Sequence, residues 1–144
     1  MKYWIAVVSK DHLQNGVKGG FMQVNHGKAS ALKRIHKDDW IVFYSPKKTF
    51  LGKEKLQAFT AIGQAIDDEI YQIEMSKDFI PFRKNINFKN AKKVSIISLI
   101  NNLTFIKNKK SWGFIFKFGF FEIQEADFTI ISGLMLKNEE NKGN

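Results

Sequence analysis

The sequence contains no cysteine. That excludes disulfide bonds, thiolate nucleophiles and cysteine-bound zinc, and it suits a reducing compartment. No apolar run approaches the roughly 18 residues that a membrane-spanning helix needs. The apolar stretch at residues 3–8 is shorter than a secretory h-region of about 7–15 residues, and Ser9-Lys10-Asp11-His12 follows at once. A soluble, cytoplasmic protein is the expectation. Histidine is scarce: His12, His26 and His36 match no common zinc spacing, and carboxylates do not cluster near them. No metal and no cofactor is expected. Acidic residues are also missing from a long stretch. Between residues 79 and 121 there are nine cations and not one carboxylate.

The formal charge is +9. The segment at 67–78 reverses the balance, with five carboxylates against Lys77. A long basic segment attracts polyanions, and phosphate backbones are the commonest of these in a cell. The 144 residues, 44% apolar, suit one domain over 1–137 with a polar tail at 138–144.

Local pattern gives a coarse map. The run YWIAVV at 3–8 reads as a buried strand. Ser9 reads as the cap of a short helix over 10–15, ended by Gly16. Strands follow at 21–25, at 40–44 before Ser45-Pro46, at 56–66, at 70–75 and at 82–88. Gly63 suggests a bulge or a close approach of backbones. In the last strand Phe82, Lys84, Ile86 and Phe88 share one face, and Arg83, Asn85 and Asn87 the other. Short helices are expected at 30–36 and at 96–102 behind Ser95, and a longer one at 124–137. A polar loop covers 47–55. The sum is an α+β domain around a curved sheet or small barrel.

The stretch GFMQVNHGK, residues 20–28, concentrates chemistry. A strand runs into a turn that sets His26, Gly27 and Lys28 side by side. Gly27 permits close backbone approach. His26 offers donor, acceptor and ring face, and Lys28 a cation. A Walker A loop is excluded: six residues separate Gly20 from Gly27, and Ala29 follows Lys28. No GxSxG nucleophile elbow exists. A Ser–His–Asp arrangement from Ser9 or Ser45, His12 or His26, and Asp11 or Asp39 has only proximity in its favour. Aromatic rings beside polar motifs (Trp4, Tyr44, Trp112) suit base stacking.

In order, eight segments resemble the EVE-domain family: YWIAVVSKDH, GGFMQVNHGK, DDWIVFYSPK, LQAFTAIG, FIPFRKN, LTFI, SWGFIFKFGFFEI and ADF. They cover residues 3 to about 135. Lys84 and Lys117 stand where arginine is expected in relatives. The resemblance implies a PUA-like fold related to YTH domains, with a curved mixed or antiparallel sheet or open β-barrel and short peripheral helices. It implies a nucleic-acid-binding module, for DNA or RNA, that reads a modified base in a pocket of the curved sheet, and not a catalyst.

The expected ligand pocket comprises Trp4, Ser9, His12, Gln23, His26, Tyr44, Ser45 and Trp112. Lys28, Lys47, Arg83, Lys84, Lys109 and Lys110 are expected to hold the phosphate backbone. The alternatives are an enzyme acting on a nucleotide or modified nucleoside, with His12 or His26 as general base, and a protein-interaction module whose basic face is incidental.

Overall fold

The computed structural model describes residues 1–136. The tail expected at 138–144 lies outside the described residues. Among the described residues the elements are β1 (Tyr3–Val7), α1 (Lys10–Gly19), β2 (Phe21–Met22), β3 (Trp40–Lys47), β4 (Lys55–Ala65), β5 (Tyr71–Gln72), β6 (Phe82–Phe88), β7 (Val94–Ser95), β8 (Phe120–Ile123) and α2 (Glu125–Met135). None of the helices is long and apolar enough to cross a membrane.

The strands form one curled mixed sheet, a half-barrel, with the order β2-β6-β4-β3-β1-β8. β5 lies beside β6, and β7 beside β4. β1 and β3 run parallel, Tyr3 opposite Trp40 and Val7 opposite Tyr44. A parallel pair needs a long crossover, here built from α1, β2 and two short 3-10 turns at Asn25–Gly27 and Leu32–Arg34. The remaining pairings are antiparallel.

Alternation along the strands builds two cores. Trp4, Ala6, Ile41, Phe43 and Ile86 pack with Leu13 of α1 and Leu32 on one face. Ile5, Val42, Tyr44, Phe59 and Ile62 pack with Phe116 and with Phe128 and Ile131 of α2 on the other. Burying a residue of this size contributes about 1.5–3 kcal/mol, so both faces hold the sheet in place.

Several local expectations are corrected. α1 does not end at Gly16. It runs to Gly19 and stops at Gly20, whose φ of 74° is left-handed. Gly16 is needed for packing instead, because a Cβ there would collide with the Phe21 carbonyl. β3 continues through Ser45-Pro46 to Lys47. The ladder is irregular there, with Gln57 opposite at φ 51°, so no ladder bond is asked of the proline. Of the two readings of Gly63, a bulge or a close backbone approach, the second holds, and the bulge itself falls at Thr60, between Ala61 opposite Phe43 and Phe59 opposite Tyr44. Gly63 is a close approach: a Cβ would come within 2.5 Å of the Ile86 side chain and 2.8 Å of the Asn87 carbonyl. Ser95 belongs to β7, and its hydroxyl accepts from Ile97 N–H to open a single 3-10 turn, Ile97–Leu99, in place of a helix over 96–102. Of the strand expected at 70–75 only Tyr71–Gln72 pairs.

Candidate functional site

The carboxyl end of β1 leads through Val7, Val8 and Ser9 into α1, and a cavity of about 460 Å³ opens beside it. Beyond Val7 and Val8 and Phe43 of β3, its walls come from four parts of the chain. The first turns of α1 give Ser9, His12 and Asn15. β2 and the turn behind it give Phe21, Gln23, His26 and Gly27. The loop between β3 and β4 gives Phe50, and the segment around β5 and β6 gives Met75, Phe79 and Arg83. Among the described lining residues there is no carboxylate, and Arg83 carries the one permanent charge.

Arg83 is held on three sides. Its guanidinium carbon sits 3.9 Å from the centroid of the Phe21 ring. Its Nε donates to Gln23 Oε1 at 3.0 Å, and Nη2 to Met75 Sδ at 3.3 Å. A cation over a ring face and a charge-assisted hydrogen bond restrict the side chain to one pose. Because its oxygen is engaged, Gln23 keeps its NH₂ group as a donor.

Phe50 is clamped from the loop side. Its N–H donates to the Asp11 carboxylate at 3.1 Å, and its carbonyl accepts from Lys47 Nζ at 2.8 Å. His12 stacks on its ring at 5.0 Å, and His26 meets it edge-on at 6.1 Å. His26 has φ 58° and ψ 32°, a region that non-glycine residues rarely occupy and that clusters at functional sites. Ser9 closes the floor: it is 8% exposed, and among the described residues its buried Oγ makes no short hydrogen bond, the Asp11 carboxylate being its remaining polar partner.

Of the residues expected from sequence, the structure thus brings together Ser9, His12, Gln23, His26 and Arg83. Arg83 lines the cavity rather than lying out on a phosphate path. Four others are corrected. Trp4 is buried, stacked on Phe120 at 4.8 Å, with its Nε1 donating to Asp39 Oδ2 at 3.0 Å. Tyr44 faces the other core, parallel to Phe116 at 3.8 Å, and burial pushes its hydroxyl well above the usual phenol range. Trp112 packs on that same side against Phe116. The Ser45 hydroxyl is spent on the Val8 carbonyl and on Thr60 Oγ1, both at 2.7 Å.

Two of the expected phosphate contacts are likewise committed to carbonyls of the chain itself. Lys84 is fully buried, and its Nζ donates to the Asp67 and Glu69 carbonyls at 2.7 and 3.2 Å. Burial holds its pKa below the ordinary lysine value, against the pull of Asp67, Asp68, Asp39 and Glu69. Lys109 Nζ reaches the Ile100, Leu103 and Ile106 carbonyls at 2.9, 3.4 and 2.8 Å. Lys47 props the Phe50 loop. Lys28 and Lys110 are exposed. Sequence reasoning missed Phe50, whose signal was the apolar pair Phe50-Leu51 inside an otherwise polar loop, and it left Phe21, Met75 and Phe79 out of the site.

A curled α+β half-barrel with a cavity at the end of its parallel strand pair defines a PUA-like fold. The family profile of the EVE domain matches residues 2–134, and the chain belongs to that family. It is similar to a UPF0310 protein of Mycolicibacterium vanbaalenii, 47% identical over 136 residues that span 94% of each chain. It is also similar to the UPF0310 protein in the gntR 5' region of Bacillus licheniformis, 45% identical over 129 residues, 90% of this chain and 88% of that one. In fold it resembles the MmI1 YTH domain, with a TM-score of 0.55 at 10% identity over 93% of this chain and 94% of that one.

Proposed function

We propose that this protein binds nucleic acid by capturing one unpaired or extruded base in the cavity beside Ser9. The fold is consistent with a nucleic-acid-binding module. The observation that carries the reading is the composition of the walls. Phe21, Phe50 and Phe79 offer apolar ring surface, while Arg83 and the Gln23 amide present fixed donors and no described lining residue is acidic. A flat heteroaromatic ring with carbonyl and ring-nitrogen acceptors along one edge fits both properties. Extracting a base costs a few kcal/mol, and stacking returns about 1–3 kcal/mol per base. A modified base would be selected by shape against Phe50 and Phe79. The exposed lysines Lys28 and Lys110 would attract the phosphates and give no sequence preference.

The test is a panel of DNA and RNA oligonucleotides, with and without base modifications, measured by fluorescence anisotropy on wild type, Arg83→Ala and Phe50→Ala. Binding that prefers one modification and drops in both variants supports the reading. Equal affinity for every oligonucleotide, unchanged in both variants, would refute it. The same panel assayed for product separates capture from turnover by His12 or His26.

A further inference from the structure

The segment that follows Trp112 carries a surface that packing does not explain. Phe114–Phe118 forms a 3-10 turn in which Phe116 points inward, onto Tyr44. Phe114 and Phe118 remain 60% and 62% exposed and lean on each other edge to face at 5.8 Å. Lys117 Nζ sits 5.8 Å from the Phe114 ring. Two adjacent large rings left in water mark an interaction surface far more often than an isolated exposed phenylalanine does.

The surroundings state which partner. Lys107, Lys110 and Lys117 are exposed, and the chain from residue 79 to 121 contains no acid. The patch also adjoins a strand that reaches the cavity. The N–H of Val7, which lines it, donates to the Gly119 carbonyl at 2.8 Å, one residue beyond Phe118. Rings beside cations, one strand away from a base-sized cavity, match a strand of alternating base faces and phosphates.

Building on the base-capture reading, we propose that Phe114, Phe118 and Lys117 form a stacking platform for nucleotides flanking the captured base. The partner is then a single-stranded run of nucleic acid rather than an intact duplex. In a duplex both faces of every base are covered by its neighbours, so exposed rings gain nothing there. In a single strand each base has a free π-face, and the attraction is indifferent to sequence.

The experiment compares Phe114→Ala/Phe118→Ala, Lys117→Glu and Arg83→Ala with wild type. The probes are oligothymidylates and oligouridylates from one to about twelve nucleotides, within the range of single-strand site sizes, together with a duplex of equal length. The double variant is expected to weaken binding of the longest strands by about tenfold or more, and to leave the mononucleotide and the duplex as in wild type. Lys117→Glu should flatten the dependence of log affinity on log salt by about one unit of slope. Both rings are exposed, so circular dichroism and the melting temperature should not move. The single variants Phe114→Ser and Phe118→Ser serve if the double variant aggregates. Unchanged affinity for long strands in folded variants would overturn the platform, as would equal loss for strand and duplex. If Arg83→Ala abolishes binding while the double variant does not, only the platform falls. If wild type binds none of these probes, nor the modified oligonucleotides, the base-capture reading falls first.

Discussion

The two ends of the β1–β3 pair are built from similar residues and do opposite things. At the amino-terminal end Asp39 accepts from Lys2 N–H at 2.9 Å, from Trp4 Nε1 at 3.0 Å and from His36 N–H at 2.9 Å. Each of these three donors has its acceptor, and Trp4 is sealed. At the carboxyl end Ser9 keeps a buried hydroxyl with no short hydrogen bond among the described residues, His26 holds a strained backbone, and the rings of Phe50 and Phe79 stay partly in solvent. One end is finished by its own chain. The other leaves rings and donors to spare, and that is where a ligand gains most.

The largest expected effect breaks the closed end. Asp39→Ala leaves the Trp4 indole and two backbone donors without their acceptor, and should cost about 3 kcal/mol or more in urea unfolding. Burial alone would raise the Asp39 pKa, yet the His36, Lys2 and Trp4 donors hold it below the ordinary carboxylate value. With the folded value depressed, its contribution is complete above the unfolded value of about 3.9 and fades as pH falls through the folded one. Asp39→Asn should therefore be less stable than wild type at neutral pH and lose less further stability on acidification. A difference between the two that does not change below pH about 4 would contradict this.

Next comes the open end. Arg83→Ala should lower oligonucleotide affinity by about 2 kcal/mol, roughly thirtyfold, with little change in melting temperature. A fall in stability without a fall in affinity would make Arg83 a brace for Phe21 and Gln23 and nothing more. Trp112→Ala sharpens the contrast from the opposite core. It should destabilise the fold by about 1–2 kcal/mol, because the ring is only partly buried, and leave affinity as it is.

The smallest effect is the most diagnostic. Ser9→Ala removes a buried hydroxyl whose remaining partner in the free protein is the Asp11 carboxylate, so it should change stability by no more than about 1 kcal/mol while weakening the bound state several-fold. A variant that binds as well as wild type would show the hydroxyl to be idle.

How legible was this in the sequence? β4 and β6 could be read locally from their alternation, and β1 and β3 from continuous β-branched and aromatic runs, because strands buried on both faces have no polar side. The parallel pairing of β1 with β3 could not, since it rests on contacts across more than thirty residues of crossover. Trp4 was misplaced for the same reason: its partner Asp39 lies 35 positions away. Lys84 was a different failure. Its face was already visible in the alternation with Phe82, Ile86 and Phe88, opposite Arg83, and charge was allowed to outweigh period. The sequence did pick out the turn at His26, because three chemically distinct residues in a row have no use in a buried strand. Phe50 stayed hidden because, Lys47 aside, what orders it comes from elsewhere: Asp11 and His12 on α1, His26 behind β2.

One contact of the Gly27 turn sets the gauge of the cavity. Gly27, at φ 81°, rests against Pro81 so closely that a Cβ would strike the proline ring and come within 3.3 Å of Phe79. The turn that carries His26 and the segment that carries Phe79 therefore abut like the jaws of a calliper closed on a stop. The stop is one hydrogen atom thick. Any larger residue at position 27 would hold the jaws apart, so the width offered to a ligand is specified by the side chain that is missing there.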